Sequence, residues 1–455
     1  MRAAPTATMI RMTNYQSFSR RWILGTGLAA SLMLSTTALA QAYPVGERDA
    51  DPAAGSGLAA AATATTYPPT KIHVPAPTGP NKIGTIELHL IDQARDDASA
   101  PGGKRELMVS VWYPARPRAE GPFAKYMPPK TADVLSHSLS KAAFGLDDPI
   151  FDFAGSDTQA RVGVPAERGK HPVVLYSPGY PLSRYYGTAQ VEELASRGYV
   201  VVTMDHTHEG PVEFPGGRFV PGTDVLLPTA DQTRAALDTR VADTRFVLDQ
   251  VTLLAYGLNP DAERRNLPAG LRQALDIRNV GMFGFSAGGH TAADTMAVDG
   301  RINAGVDLDG TLAYDMQLGP LGPAAERGLD RPFMLFGSDG SQRTDPAVPD
   351  TYDKSWAAFW KNQRGWKLNL QLPGTNHLGF SDYQFFFYDV FYALTGDDDG
   401  AIQVQANVGG ILDRHRMLLA QRTYLTAFFD QFLQGRPQRL LEKESAEFPE
   451  VGFVR

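Results

Sequence analysis

The chain contains no cysteine. Disulfides, thiolate catalysis and cysteine-ligated zinc are therefore excluded. A surplus of positive charge is missing too. The 43 Lys and Arg residues stand against 50 Asp and Glu, a net charge of −7, so nothing electrostatic favours nucleic acid or an anionic membrane as a partner. No internal repeat recurs along the chain. What is present is ordinary globular composition, 43% hydrophobic, 10% aromatic and 20% charged over 455 residues. Length alone allows up to three domains, although α/β enzymes often run this large as one.

The most legible targeting feature is the stretch SFSRRWILGTGLAASLMLSTTALAQA. Arg20 and Arg21 precede an apolar run from Trp22 to Leu39, which ends in Ala38-Leu39-Ala40. Basic, apolar and small-residue segments in that order are the layout of an export signal, and Ser19-Arg20-Arg21 resembles the twin-arginine type. Residues 1–40 are accordingly read as a signal peptide, with the mature protein beginning near Gln41 in a secreted or periplasmic location. The apolar run is also long enough for an uncleaved anchor.

Residues 41–81 are rich in Ala, Thr, Pro and Gly and predict a flexible lead-in. From Lys82 onward, strand and helix signals alternate. KIGTIELHLID (82–92) and ELMVSVWYPA (106–115) predict an opening antiparallel pair. HPVVLYSPGY (171–180), YVVVTMDH (199–206), IRNVGMFG (277–284), INAGVDLDG (302–310), RPFMLFGSDG (331–340) and WKLNLQLPGTNH (366–377) predict further strands. Helical spacing marks about 184–197, 229–255 and 409–434. Such alternation predicts an α/β fold, a mostly parallel central sheet with helices on both faces, over residues 82–435. Ligands in such sheets sit at the C-terminal edge of the strands. Two segments fit the alternation poorly: 116–168, an insertion and candidate lid, and 378–408, with its aromatic run YQFFFYDVFYALT. Residues 436–455 read as a C-terminal tail.

Within this pattern, Gly284-Phe285-Ser286-Ala287-Gly288 is a G-x-S-x-G elbow placed between a strand and a helix. A serine hydroxyl is a weak nucleophile at neutral pH and needs a base and an oxyanion site. The glycines belong there because the serine occupies a strained turn. Of the nine histidines, His377 in PGTNHLGFSD follows the last strand of the core and fits the chain order Ser, Asp, His. His290 lies one turn beyond Ser286, and its side chain projects along the helix away from the elbow. For the acid, two candidates stand open. Asp339 follows the strand used by most hydrolases built this way. In AGVDLDG the strand period puts Asp307 and Asp309 on one face, and only Asp309 reaches the strand's C-terminal end.

These blocks, together with HPVVLYSPGYPLSRYYGTAQVEELASRGYVVVTMDH, GMFGFSAGGHT, VDLDGT and GTNHLGFSDY, resemble the plasma-type platelet-activating factor acetylhydrolases and their bacterial relatives. The resemblance spans roughly 82–435 and implies an α/β-hydrolase fold and a serine esterase. It implies Asp309 as the acid, because Asp309 lies beyond Ser286 at that family's spacing. It also implies the backbone N–H groups of Tyr180 and Ala287 as oxyanion donors. One departure is visible: Pro178-Gly179 stands where such enzymes often carry His-Gly, and proline lacks an N–H.

No metal or organic cofactor is implied. MDHTHEG, with Asp205, His206, His208 and Glu209, could be a metal site, but the alternation of a strand puts His206 and His208 on one face as pocket lining or structural partners. GDDDG (396–400) reads as a solvated acidic turn before a calcium loop. The expected partner is a small-molecule or lipid ester, without nucleic acid or stable membrane insertion. A polyester or cutin-type hydrolase, an amidase, and a non-catalytic binding protein on the same fold are the alternatives. For the export reading, mass spectrometry of the exported protein should find an N-terminus at or near Gln41. A chain retaining residues 1–40 in the membrane would instead identify an anchor.

Overall fold

The structure, a computed structural model, describes residues 67–223, 225, 228–315, 319–338 and 354–454. The proposed export segment and Asp339 lie outside these residues. The strands are β1 (Ile83–Asp96), β2 (Lys104–Pro114), β3 (Phe123–Lys125), β4 (Asp157–Val162), β5 (His171–Ser177), β6 (Val200–Met204), β7 (Val212–Phe214), β8 (Arg218–Val220), β9 (Leu275–Phe285), β10 (Ile302–Leu308), β11 (Phe333–Ser338), β12 (Lys367–Leu372) and β13 (Gly452–Val454). The principal helices are α1 (Pro129–Phe144), α2 (Thr188–Ser196), α3 (Ala230–Ala255), α4 (Ala287–Val298), α5 (Ser355–Asn362), α6 (Tyr383–Thr395), α7 (Asp398–Gly409) and α8 (Arg414–Leu433).

Eleven strands form one sheet in the order β13-β12-β11-β10-β9-β5-β6-β2-β1-β4-β3. From β12 to β6 every neighbouring pair is parallel. The antiparallel β2 and β1 extend that block on one side. Parallel strands need helical crossovers, which cover both faces, and the burial pattern obeys this. Val173 and Leu175 of β5 join one apolar cluster with Val247 and Val251 of α3, Ala292 of α4 and Trp356 of α5. Val174 and Tyr176 face the opposite cluster, with Val191 of α2 and Phe428 and Phe429 of α8. Alternation along a two-face-buried strand thus feeds two cores at once.

Helix starts are set locally. Thr229 accepts the Gln232 N–H, and Gln232 reaches back to the Thr229 N–H, a complete capping box that opens α3. Asp413 caps α8 by accepting from the His415 and Arg416 N–H groups. The acidic turn at 396–400 is also a cap: Asp397 accepts from the Gly400 N–H at the start of α7.

Three segments sit differently from their composition. The Ala- and Pro-rich pattern predicts a flexible lead-in through residue 81, but 67–81 are tied down. Ile72 is buried, Thr78 is held by Glu193, and Arg422 donates to the carbonyls of Pro75 and Ala76. Residues 436–454, where the sequence reads as a tail, are packed against the domain. Leu441, Phe448 and Val451 are buried, and β13 pairs antiparallel with β12 at the sheet edge. In both cases the anchors come from distant parts of the chain, so local pattern carried no sign of them. Residues 116–168 supply β3, α1 and β4. Phe151 and Phe153 stack on each other and pack edge-on against Phe387 and Phe386 of the aromatic run. That run is α6, with Phe385, Phe386, Phe387 and Val390 buried as core. Among the described residues, no helix is long and apolar enough to cross a membrane.

Phe429, fully buried, joins α8 to the sheet through ring contacts with Tyr199 and Phe283. Phe429→Ala should cost about 3–5 kcal/mol of unfolding free energy, read from urea denaturation.

Candidate active site

Ser286 follows the last residue of β9 and precedes the first residue of α4, with φ 56° and ψ −124°. That is a strained conformation for a side chain other than glycine. The turn persists because its surroundings fix it. The Ser286 N–H donates to Leu308 O at 2.9 Å, locking the elbow to the end of β10. A Cβ on Gly284 would stand 2.2 Å from backbone atoms of Gly288, and one on Gly288 only 1.9 Å from Ser177 O. Both glycines are thus required by backbone packed on backbone.

His377 begins the short helical turn after β12. Its loop is held by the Asn376 N–H donating to Gly409 O at 2.9 Å. The ring lies between two partners: Nε2 is 3.0 Å from Ser286 Oγ, and Nδ1 is 2.7 Å from Asp309 Oδ2. An ionised carboxylate only accepts, so Nδ1 carries the hydrogen and Nε2 is left to accept from the serine hydroxyl. Asp309 itself has φ 56°, one residue past the end of β10, and its N–H donates to Phe336 O. The Ser338 N–H donates to Asp309 Oδ1 at 2.6 Å and the Ser338 hydroxyl to Oδ2 at 2.9 Å. The carboxylate is sealed while the His377 side chain is 41% exposed, so the imidazole is reachable and its partner is dry. Asp307 is turned elsewhere, accepting from the Gly310 N–H at 2.8 Å.

The loop after β5 comes up against the serine. A Cβ placed on Gly179 would lie 3.3 Å from Ser286 Cβ. Tyr180 is the next residue, and Ala287 opens α4, whose positive end faces the elbow. Among the described residues, neither the Tyr180 nor the Ala287 N–H donates to a protein acceptor.

The remaining histidines have other occupations. His89 lies between Glu106 and Glu263, His73 contacts Asp389, and His171 contacts Gly198 O. His137 bonds Asp133 O on α1, and His415 lies on α8. His290 is buried beside Asp294 on α4. His206 and His208 do not share a face, because β6 ends at Met204 and His208 adopts φ 76°. His206 Nε2 meets Ser177 Oγ, whereas His208 Nε2 meets Asp97. Asp205 pairs with Arg184 and Glu209 with Arg240. Among the described residues, no three potential ligands are grouped to hold a metal ion.

Two contributors escape the motifs. Ser338, beside Asp309, has no sequence signature. Arg240 lies in the buried stripe of α3 with Leu237, Thr244, Val247, Val251 and Leu254, a core position that an arginine on an amphipathic helix does not announce. Gly288→Ala should be strongly destabilising, since the clash is with backbone and cannot be relieved by a rotamer change. A melting temperature equal to that of the unsubstituted protein would show that the elbow is looser than this packing requires.

No protein-family model matches the chain. It is 29% identical over 406 residues, 85% of this chain and 95% of the relative, to a protein from Arthroderma benhamiae named as a probable 1-alkyl-2-acetylglycerophosphocholine esterase. A platelet-activating factor acetylhydrolase from Cavia porcellus is 24% identical over 234 residues, 48% of this chain and 49% of that protein. Among solved structures, a ferulic acid esterase from Streptomyces cinnamoneus superposes with a TM-score of 0.64 at 34% identity, covering 85% of this chain and 99% of that one. With an α/β-hydrolase sheet and two esterases matched over nearly their whole length, the chain belongs to the same family of esterases as these relatives and is an ester hydrolase.

Proposed function

We propose that the protein is an exported serine carboxylic-ester hydrolase that works through an acyl-enzyme on small or short-acyl lipid esters. The observation that carries the mechanism is the unbroken line from Asp309 Oδ2 to His377 Nδ1 at 2.7 Å and from His377 Nε2 to Ser286 Oγ at 3.0 Å. Ser286 Oγ attacks the ester carbonyl while His377 Nε2 takes its proton. The carbonyl electron pair moves onto oxygen, which the N–H groups of Tyr180 and Ala287 receive. Collapse expels the alcohol, which takes the proton from His377. Water, deprotonated by the same nitrogen, then releases the acid and restores Ser286. Asp309 holds the ring in the required tautomer and stabilises the imidazolium; Ser338 holds Asp309. Two partners that leave the Asp309 carboxylate no freedom to rotate support its assignment as the acid.

The short-acyl preference is supported by the relatives named for acetyl-ester substrates. Export is supported by Arg20-Arg21 and Ala38-Leu39-Ala40. A second reading, an aromatic-acid ester as substrate, is favoured by the likeness to a ferulic acid esterase.

Ser286→Ala should lower kcat by several orders of magnitude with folding intact, and an organophosphonate should label Ser286 alone. Asp309→Asn should lower kcat by about 10³ to 10⁴. Labelling at another residue, or an Asp309→Asn enzyme with kcat near that of the original protein, contradicts the scheme. Rates on p-nitrophenyl esters should fall as the acyl chain lengthens beyond acetyl; a higher kcat/KM on methyl ferulate selects the aromatic reading.

A further inference from the structure

Behind the loop that carries Tyr180 lies a buried guanidinium with every N–H in use. Arg240 of α3 is 1% exposed. Its Nη1 donates to Pro178 O at 2.7 Å and toward Ser177 Oγ at 3.3 Å. Its Nη2 donates to Gly179 O at 3.2 Å and to Glu209 Oε2, and its Nε donates to both Glu209 oxygens at 2.8 and 3.1 Å. Ser177 Oγ meets His206 Nε2 at 2.9 Å, and His206 Nδ1 meets Asp243 Oδ2 at 3.0 Å. Asp243 is in turn gripped by Arg95 and Arg105. The network touches neither Ser286 nor His377, and the scheme above does not use it.

Its leverage comes from peptide geometry. The Gly179–Tyr180 bond is trans, so its C=O and N–H lie in one rigid plane and point in opposite directions. Arg240 and the Leu182 N–H, at 2.8 Å, hold that C=O from one side. The Tyr180 N–H is thereby aimed to the other side of the loop, and Gly179 stands against Ser286. We infer that Arg240 is a positioning residue for catalysis: by clamping the carbonyls of Pro178 and Gly179 it directs and polarises the Tyr180 N–H as an oxyanion donor. A cation on the carbonyl of a peptide also strengthens that peptide's N–H as a donor. Proline at 178 fits the arrangement, because this residue contributes only a carbonyl and Arg240 satisfies it. Burial, followed by the Arg240 charge, holds His206 below the ordinary histidine value. A neutral ring can donate to Asp243 through Nδ1 and accept from the Ser177 hydroxyl through Nε2, which leaves Ser177 Oγ free to accept from Arg240.

The inference rests on the serine-esterase reading, and the experiment separates the two. Arg240→Lys keeps the charge, but a single nitrogen cannot span Pro178, Gly179 and Glu209. The readouts are kcat and KM on p-nitrophenyl acetate and the Ki of a trifluoromethyl ketone. In the inhibited enzyme Ser286 Oγ bonds to the ketone carbon, its proton passes to His377, and the carbonyl pair becomes an oxyanion. In Arg240→Lys, kcat should fall about 10- to 100-fold, less than for outright loss of a donor because Leu182 still holds the carbonyl. Ki should rise by a similar factor, with KM changing by about twofold at most. A purely structural role for Arg240 would lower the melting temperature without moving Ki and kcat together. If Arg240→Lys does not fold by circular dichroism, Glu209→Gln decides, with an expected fall in kcat of about fivefold and the same rise in Ki. Unchanged kcat and Ki in the folded variant, with Ser286→Ala inactive, overturn the role of Arg240 alone. An active Ser286→Ala overturns the serine reading and this inference with it.

Discussion

Ser286 keeps a positive φ because backbone is pressed against backbone on every side of it. Its N–H is tied to Leu308 O, and the contacts across Gly284 and Gly288 leave no space for a methyl group. This close approach aligns the ends of β5, β9 and β10, and the other parts of the site follow from it. The end of β10 turns through Asp309, again at positive φ, which swings a carboxylate over the sheet edge. The end of β5 turns through Gly179 against Ser286. The start of α4 delivers the Ala287 N–H beside Ser286. Of the four described non-glycine residues at positive φ, Ser286 and Asp309 stand where the chemistry would occur, and the wide apolar contact of both faces of the sheet supports their strain.

Much of this was legible in the sequence because parallel strands buried on both faces write short apolar runs, and the elbow requires its glycines at fixed offsets. The runs around 171–177, 200–204, 275–285, 302–308, 333–338 and 367–372 became the parallel block. The strand period singled out Asp309 within VDLDG because Asp307 lies inside the strand. Long-range partners were not legible. Ser338 meets Asp309 from 29 residues away, Arg422 reaches Pro75 across 347, and β13 joins β12 from the far end of the chain. A periodicity search also reads an arginine on a helix as surface. In α3, Val241 and Phe246 are only half-buried, whereas Arg240 and Asp243 are buried.

Among the described residues, two Ser–His–Asp lines have the same connectivity. In one, Asp243 meets His206 Nδ1 and His206 Nε2 meets Ser177. In the other, Asp309, His377 and Ser286 are joined atom for atom in the same way. Hydrogen-bond geometry therefore does not by itself distinguish a nucleophile from a brace. The surroundings do. Ser177 and His206 are buried in the interior, and the fixed cation of Arg240 beside them opposes a second positive charge on the ring. A base must gain such a charge when it takes the serine proton. His377 has the fully buried Asp309 carboxylate on one side and 41% of its own side chain open, so its ring can be approached from solvent. Ser177 also lacks what Ser286 has, the amino end of a long helix starting at the next residue. On the proposed reading, the open line moves a proton and the buried line holds a loop in place.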